Sequence, residues 1–358
     1  MVTVLMATYQ GKQYLEQQLD TILAQTVPVK ILISDDGSDD GTREMLEDYA
    51  GWYPEQVFLR HRTEHDGDAA GNFFWLMQEA LKDETNEYIL FSDQDDVWEN
   101  NKVKVLLHRM KVLEKGLGKQ CPILLYSDMK VVDEDLYEIN PSFAAYTHQD
   151  PDRTGFAELL VENQVTGGAS MINRALLEKC AKKPEVCCMH DWWIALTASC
   201  FGVIEFMPRA LSKYRQHGGN VLGAKDSGSF TEMKARLSRG KEVERNYRRM
   251  LNQGIAFGRC FWKEMDKAQR MTLRAFLALP YQSAAGRLKN IRYNHFYKNS
   301  ALQTLAMCMT IPKAEKMRQP KNEQDVALEN CEGKAMVAAG KTEAESGAAK
   351  VAEQELEA

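Results

Sequence analysis

The sequence predicts an α/β fold, with a parallel sheet covered by helices and a helical region after it. In the first third, short apolar runs alternate with amphipathic stretches, and acidic residues follow the ends of several runs. After residue 228 the composition changes to segments rich in Lys, Arg, aromatic residues and Met. Alternating strand-like and helix-like segments are typical of parallel strands joined by crossover helices. We therefore expect a Rossmann-like sheet in the first layer.

The individual elements follow from the position of each apolar run. The predicted strands are 3–6, 30–33, the weak 58–59, 88–91, 123–128 and 202–206. The predicted helices are 14–25, one beginning at Gly41-Thr42, one led by Gly71, and 174–182. A polar segment with prolines runs on to about Pro151, and irregular segments of this kind often carry specificity.

Three regions follow from this order. We expect a catalytic domain over residues 1–228 and a helical subdomain over 229–312. Residues 313–358 are rich in Ala, Glu, Lys and Gln with few bulky apolar residues, which is typical of a disordered or weakly helical tail.

The most informative segment is Ser92-Asp93-Gln94-Asp95-Asp96, directly after the apolar run 88–91. A buried strand that stops at acidic residues opens into the crevice where open α/β sheets bind ligands. Neighbouring carboxylates repel one another, and a divalent metal such as Mg²⁺ or Mn²⁺ would relieve that repulsion. The alternative is a helix cap with solvated acidic residues. The segment alone leaves both interpretations open.

Two further groups follow the first two strands. Asp35-Asp36 precedes Gly37 and Ser38, so its carboxylates could bind a base or ribose, or could simply close a turn. Thr8-Tyr9 offers a hydroxyl and an aromatic ring for a base, although a tyrosine at the edge of the core is an equal alternative.

The later part of the catalytic region supplies three more candidates. Gly167-Gly168 permits close approach of a ligand or forms an unusual turn. Asp191 lies beside Trp192, where desolvation can raise a carboxyl pKa towards that of a general base, but a helix start packed by tryptophan explains the same pattern. Arg215 and His217 supply a cation and an imidazole for phosphate or metal, and a lone histidine is more often structural.

Composition restricts the function. The net charge of −6 and the pI of about 5.8 argue against a dedicated nucleic-acid binder. The chain opens on a strand-like run instead of a signal sequence, and no run of about twenty apolar residues could span a bilayer. The eight cysteines lack paired zinc spacing, so we expect reduced thiols. These observations predict a cytoplasmic protein.

Taken together, the motifs resemble the inverting family-2 nucleotide-sugar glycosyltransferases with a GT-A fold, especially their bacterial rhamnosyltransferase-like branch. The resemblance covers about residues 2–223 and is carried by five ordered segments: 6–11, 34–42, 92–98, 190–193 and 214–217. Five segments in the right order are far more specific than any one of them.

The resemblance implies a role for each matching residue. The nucleoside would contact Thr8, Tyr9, Asp35, Asp36 and Asp93. Mg²⁺ or Mn²⁺ would be bound by Asp93, Asp95 and His217, and Asp191 would be the catalytic base. The residues near the donor sugar and the acceptor would be Asp96, Gly167, Gly168, Trp192 and Arg215.

The resemblance also implies substrates. It favours dTDP-rhamnose as donor and a growing cell-surface polysaccharide, of wall or capsule type, or a lipid-linked glycan as acceptor. Another hexose or N-acetylhexosamine donor is the alternative within the family. Basic and aromatic residues between Arg236 and Lys263, including Phe261 and Trp262, could form a face towards the acceptor or the inner surface of the cytoplasmic membrane. Solvated helix faces and ordinary core packing are the more common explanation for such residues.

Two other classes of protein remain as alternatives. Haloacid-dehalogenase-like phosphatases use an Asp-x-Asp-x-Val/Thr pattern that Asp93 to Val97 would match, but that pattern belongs on the first core strand. A non-catalytic nucleotide-sugar-binding protein would share the fold without needing Asp191.

Overall fold

The computed structural model describes residues 1–62, 68–218 and 240–312. The chain divides into two compact units, one of Met1–Lys183 with Cys187–Ser238, the other of Pro184–Val186 with Arg239–Ala358. The domain boundary predicted at 228/229, the tail 313–358, Arg236 and Arg239 lie outside the described residues. All candidate site residues belong to the first unit.

The first unit is built on a mixed sheet. Its strands are β1 (Val2–Thr8), β2 (Lys30–Asp35), β3 (Val57–Leu59), β4 (Tyr88–Ser92), β5 (Val97–Trp98), β6 (Ile123–Val132), β7 (Glu138–Asn140), β8 (Ser170–Asn173) and β9 (Val203–Arg215). Their order across the described sheet is β3-β2-β1-β4-β8-β6-β9-β5, and β7 pairs with β6 at one side.

The parallel arrangement predicted for the first layer is confirmed for β1 to β4. It does not hold for β8, which runs antiparallel to both β4 and β6. The chain enters β8 from the 3₁₀ turn Gly167–Ala169, and the pairing of Leu90 with Met171 places this entry at the carboxyl end of β4. A strand that starts at the carboxyl edge must run back across the sheet.

The helices of the first unit are α1 (Lys12–Leu23), α2 (Thr42–Trp52), α3 (Ala69–Leu81), α4 (Lys102–Leu117), α5 (Phe143–Thr147), α6 (Phe156–Val161), α7 (Arg174–Cys180) and α8 (His190–Phe201). Those of the second unit are α9 (Gly240–Phe261), α10 (Lys267–Leu277), α11 (Ala284–Asn294) and α12 (Ala301–Thr310). The predicted α/β class with a helical region after it is confirmed. The sequence did not predict α4, and it offered the start of α8 only as an alternative to a catalytic aspartate.

Strand register places the site. Thr8 is paired with Asp35, and Met6 with Ser92, so that the residues after β1, β2 and β4 emerge together at one edge. From the other side β9 reaches the same edge, because Val97 of β5 pairs with Lys213. The apolar core lies beneath this edge, since β1 and β4 are buried over almost their whole length.

The second unit has a helical core of its own. Phe261 and Trp262 belong to this core, since they are 7% and 2% exposed. Core packing, the alternative for these two aromatic residues, is therefore what the structure shows, and neither ring lies on an outer face. None of the described helices combines the length and the apolar character that a bilayer crossing needs.

Candidate active site

The end of the crevice that is predicted to bind the nucleoside, called here the nucleoside end, lies where β1 and β2 end. Asp35 accepts hydrogen bonds from Thr8 Oγ (2.9 Å), from the Gly37 amide (3.0 Å) and from both the amide and the hydroxyl of Ser38 (2.8 and 2.6 Å). These bonds fix the carboxylate, while Thr8 itself is buried. Tyr9 stands 58% exposed beside it, so its ring is available for stacking on a base. Asp36 lies in the same turn, and its amide donates to Thr8 O (2.9 Å).

A cleft of about 520 Å³, measured with its open mouth, adjoins Asp35. Its lining includes the side chains of Arg43, Arg60 and Arg62. The cleft gives the nucleoside end positive charge that the sequence analysis did not identify. No pattern signalled it, because Arg60 and Arg62 follow the short strand β3 without a motif of their own.

The acidic segment follows β4 at the floor of the crevice. Asp93 is exposed as a whole residue, but its carboxyl group lies towards Gly168, whereas Asp96 is 2% exposed. Desolvation by the surrounding protein and repulsion from Asp95 and Asp191 raise the pKa of Asp93 to about 7. The pKa of Asp96 is raised by burial and by repulsion from Asp95 and Asp93. The positive charge near these two carboxyl groups is therefore too small to keep both of them ionised.

Asp95 faces β9. Its Oδ2 lies 2.9 Å from Nε2 of His217, and the imidazole packs against the ring of Tyr14 with centroids 4.8 Å apart. Asp95 and His217, which are far apart in sequence, are thus brought together as predicted ligands of one metal. Among the described residues no three His, Cys, Asp or Glu side chains form a ready cation cage.

Arg215 lies beneath this acidic segment. Its Nε donates to Asp95 O (2.9 Å), its other guanidinium nitrogens donate to Glu134 O and Gln17 Oε1, and the guanidinium carbon lies 4.5 Å from the Tyr14 ring centre. Arg215 is 3% exposed. In this structure its guanidinium binds protein groups and fixes the backbone of the acidic segment.

The candidate base lies across the crevice at the start of α8. Asp191 accepts hydrogen bonds from the Gly167 amide (3.2 Å), from Asn163 Nδ2 (3.1 Å) and from the Trp192 amide (2.6 Å). Burial outweighs these bonds and raises the pKa of Asp191 to about 6. Trp192 anchors the same turn, since its indole donates to Leu159 O (2.6 Å).

The two glycines lie between the candidate base and the acidic segment. The Gly167 amide contacts Asp191, while a methyl group on Gly168 would lie 3.2 Å from Asp93 Oδ2 and 3.3 Å from Asp96 Oδ2. A methyl group on Gly167 would lie 2.9 Å from His190 Nε2. Two adjacent residues without side chains therefore lie against Asp191 on one side and Asp93 on the other.

Two polar residues of the inner layer were missed by the sequence analysis. Gln18 forms a hydrogen bond with Ser92 Oγ (2.6 Å), and Lys102 donates to Gly168 O (2.6 Å). Both are fully buried. A signal existed for each, because Gln18 shares the buried face of α1 with Leu15, and Lys102 begins the buried face of α4 beside Val103.

Comparison with known proteins supplies the family-level evidence. The model of "Glycosyl transferase family 2" matches residues 3–179. A curated relative from Shigella flexneri, "dTDP-rhamnosyl transferase RfbG", is 27% identical over 261 residues, covering 69% of this chain and 83% of the relative. The "Putative teichuronic acid biosynthesis glycosyltransferase TuaG" of Bacillus subtilis is 30% identical over 179 residues, covering 48% and 66%.

Solved structures are similar at lower identity. A crystal structure of Staphylococcus aureus TarS 1-349 in complex with UDP has a TM-score of 0.49 at 14% identity, covering 77% of this chain and 69% of that chain. The mannosyltransferase PcManGT from Pyrobaculum calidifontis, in complex with GDP-Man and Mn²⁺, has a TM-score of 0.48 at 14% identity, covering 99% and 84%.

Proposed function

Because this chain belongs to glycosyl transferase family 2, through residues 3–179, we propose that it is an inverting, metal-dependent transferase acting on a nucleoside-diphosphate sugar. The acceptor in this proposal is a hydroxyl of a cell-surface polysaccharide or of a lipid-linked glycan precursor. The chain is a glycosyltransferase, so the phosphatase and the non-catalytic binding protein are set aside. The phosphatase pattern would also have to follow the first core strand, whereas Asp93 follows β4.

One observation carries the mechanism: Asp191 and Asp93 flank the same Gly167-Gly168 step. A donor whose diphosphate lies at Asp93 would have its sugar above the glycines, with Asp191 on the far side. An acceptor hydroxyl between Asp191 and the sugar would then approach opposite the leaving diphosphate. In-line attack from that side inverts the anomeric carbon and needs no covalent intermediate.

Asp191 acts as the general base in this scheme. It removes the proton of the acceptor hydroxyl as the oxygen attacks, and its pKa of about 6 keeps it ionised at neutral pH yet basic enough to hold a proton. The bonds from Gly167, Asn163 and Trp192 orient it. Positioned general bases contribute about 10²- to 10⁴-fold to rate.

The residues around the acidic segment fit a divalent cation. Asp93 and Asp95, with His217, offer oxygen and nitrogen ligands. The pKa of Asp93 is raised by desolvation and by repulsion from Asp95 and Asp191, and a cation would offset that repulsion. Mg²⁺ is commonly bound through one or two carboxylates together with substrate phosphates and water, so a complete protein cage is not required. When bound, the cation would neutralise charge on the departing diphosphate.

The nucleoside end offers groups that could bind the base and ribose of a donor. The fixed carboxylate of Asp35 can accept from a base N–H or a ribose hydroxyl, and the exposed ring of Tyr9 can stack on the base. We propose dTDP-rhamnose as the donor, supported by the name of the Shigella flexneri relative. A different activated hexose or N-acetylhexosamine is the second candidate, because sequence identity of 27% permits a change of sugar.

The test is a transfer assay across several nucleoside-diphosphate sugars. Purified protein, Mn²⁺ and each donor are incubated with a lipid-linked oligosaccharide acceptor, and released nucleoside diphosphate and glycosylated acceptor are measured together. We expect dTDP-rhamnose to give both products, with inversion of the anomeric centre seen by NMR. Release of inorganic phosphate would contradict the transferase reaction, and selection of another sugar would replace rhamnose in the proposal.

A further inference from the structure

Lys102 is a cation buried directly beneath the acidic segment. It begins α4, is fully buried, and donates through Nζ to Gly168 O (2.6 Å), with Ser212 Oγ at 3.5 Å. Nζ also lies 3.9 Å from the centre of the Trp98 ring. A buried ammonium group is costly unless the protein compensates its charge. The carbonyl, the hydroxyl and the ring supply only partial negative charge.

The compensating charges belong to the active site. Asp93 and Asp96 favour the charged form of Lys102, and Lys102 in turn lowers the pKa of both carboxyl groups. The lysine forms its hydrogen bonds with Gly168 and Ser212 and acts on the carboxylates through its electric field. Burial lowers the pKa of Lys102, and the neighbouring Asp96 and Asp93 act in the opposite direction. One lysine thus offsets only part of the charge of two carboxylates.

Lys102 also fixes Gly168. The carbonyl of Gly168 accepts the bond from Nζ, while its α-carbon faces Asp93 and Asp96, so that a methyl group there would lie 3.2 and 3.3 Å from their oxygens. Ser212 belongs to β9 and Trp98 to β5. A single ammonium group therefore joins the start of α4 to three other parts of the crevice.

We propose that Lys102 is a positioning residue that supplies positive charge beneath the acidic segment and holds Gly168 against it. The crevice keeps its shape through this charge before any cation or donor arrives. The same charge repels a divalent cation bound at Asp93 and Asp95, so Lys102 weakens cation binding while it preserves the geometry for transfer. The inference rests on the proposed function only in assigning a cation to this acidic segment.

The experiment compares Lys102→Met with Lys104→Met, which removes the same charge from an exposed position on α4. At pH 6.5 and without metal, where the ammonium form of Lys102 is favoured, we expect Lys102→Met to lower the Tm by on the order of 10 °C, because a buried charge network loses one partner. Calorimetry with Mn²⁺ alone should show roughly tenfold tighter binding, since a like charge has been removed from the cation. Lys104→Met should change neither quantity appreciably.

A second variant distinguishes the loss of charge balance from the loss of packing. It also keeps the test informative if Lys102→Met folds poorly. Asp96→Asn with Lys102→Met removes one charge of each sign, and we expect it to recover at least half of the lost Tm. A structural role alone would leave Mn²⁺ affinity unchanged in Lys102→Met and give no recovery in the double variant, and either result would overturn the proposal. Both measurements omit the donor, so a wrong sugar assignment would not affect them, whereas an absence of Mn²⁺ binding to the unaltered protein would defeat the metal role itself.

Discussion

Asp191 accepts three hydrogen bonds, all of which favour its ionised form, yet burial still raises its pKa to about 6. Replacing it with Asn keeps the size and one oxygen acceptor while removing the basic group. We expect Asp191→Asn to lower kcat by about 10²- to 10⁴-fold, with donor affinity within a few-fold of the original. Single-turnover transfer and calorimetric donor binding measure the two effects separately.

The matched control for this substitution is Asp83→Asn. Asp83 also accepts a backbone hydrogen bond, from Thr85, but precedes β4 and so lies at the opposite edge of the sheet. The Asp83→Asn variant should keep its turnover even though the ion pair between residue 83 and Lys30 is lost. Unchanged turnover in Asp191→Asn would remove Asp191 as the base.

The raised pKa of Asp191 also predicts the pH dependence of transfer. Only the ionised carboxylate can take a proton, so a raised pKa moves the loss of activity to higher pH than for an ordinary aspartate near 3.8. With saturating Mn²⁺, kcat/KM should be level above about pH 6 and fall tenfold per pH unit below it. The profile from pH 4.5 to 8 is the measurement, and a midpoint near 4 would contradict it.

Asn163→Ala tests the cause of that midpoint. Asn163 donates to Asp191 Oδ1 (3.1 Å), which favours the carboxylate. Its removal should shift the midpoint upward, by about half a unit to one unit for one lost hydrogen bond. A downward shift would mean that another group controls the profile.

At this scale the sequence predicted residues whose chemistry is visible in a short segment. Asp93, Asp95 and Asp191 follow or begin regular elements, and their positions at one crevice agree with the expectation from strand ends. Gln18 and Lys102 were not predicted, because each looks like one polar residue on an otherwise apolar helix face. What they contact depends on strands distant in sequence, which periodicity does not reveal. Likewise, Arg215 was interpreted as a phosphate ligand, and only the fold brings Glu134 and Gln17 to its guanidinium.

At the scale of elements, the loop after β1 and the acidic segment after β4 are joined by one side chain. Gln94 accepts from the Tyr9 amide (2.8 Å) and donates to Tyr9 O (2.9 Å). These two hydrogen bonds link the nucleoside end to the acidic segment. Gly11 leaves the space for it, since a methyl group there would lie 2.3 Å from Gln94 Oε1.

Gln94→Ala and Gly11→Ala should therefore have the same effect. The first deletes the link, and the second displaces the flexible amide from its partners. We expect each to weaken donor binding about five- to tenfold, the equivalent of about one net hydrogen bond, with little change in kcat at saturating donor. The double variant should be no worse than either single variant, because both remove one interaction.

Donor KM and calorimetric Kd for the four proteins complete this cycle. Gln56→Ala, which alters a glutamine before β3, is the control and should bind donor normally. Multiplicative effects of the two substitutions would show that Gly11 acts independently of Gln94.

The elements also show where periodicity stops being informative. The alternating pattern identified the parallel strands β1 to β4 because each is joined to the next by a crossover segment. It gave no direction for β8, a four-residue strand whose orientation is set by the preceding glycine turn. Strand β9 continues to Arg215 because β6 and β5 pair along it, a tertiary effect absent from its own residues.

At the scale of the whole molecule, the proposed catalytic crevice is assembled entirely within the first unit. In the proposed mechanism, the nucleoside would bind at the ends of β1 and β2, and the cation would bind beside β4 and β9. The candidate base lies at the start of α8, beside the turn before β8. The second unit is helical, and its contribution to acceptor or membrane contact stays a prediction.

The incomplete set of cation ligands in the crevice predicts how cation binding and donor binding depend on one another. The described residues offer Asp93, Asp95 and His217 but no closed cage, so phosphate oxygens of the donor would complete the coordination. Cation and donor should therefore bind cooperatively, with a coupling of about 1 to 3 kcal/mol. We expect donor Kd to be at least about tenfold lower with Mn²⁺ than with chelator, and chelation to abolish transfer.

Thymidine, which lacks phosphate, should bind equally in both conditions, whereas Asp95→Ala should remove the Mn²⁺ effect on donor without affecting thymidine. If donor binds equally tightly with chelator, the acidic segment holds the diphosphate without a cation, and the metal-dependent mechanism is wrong.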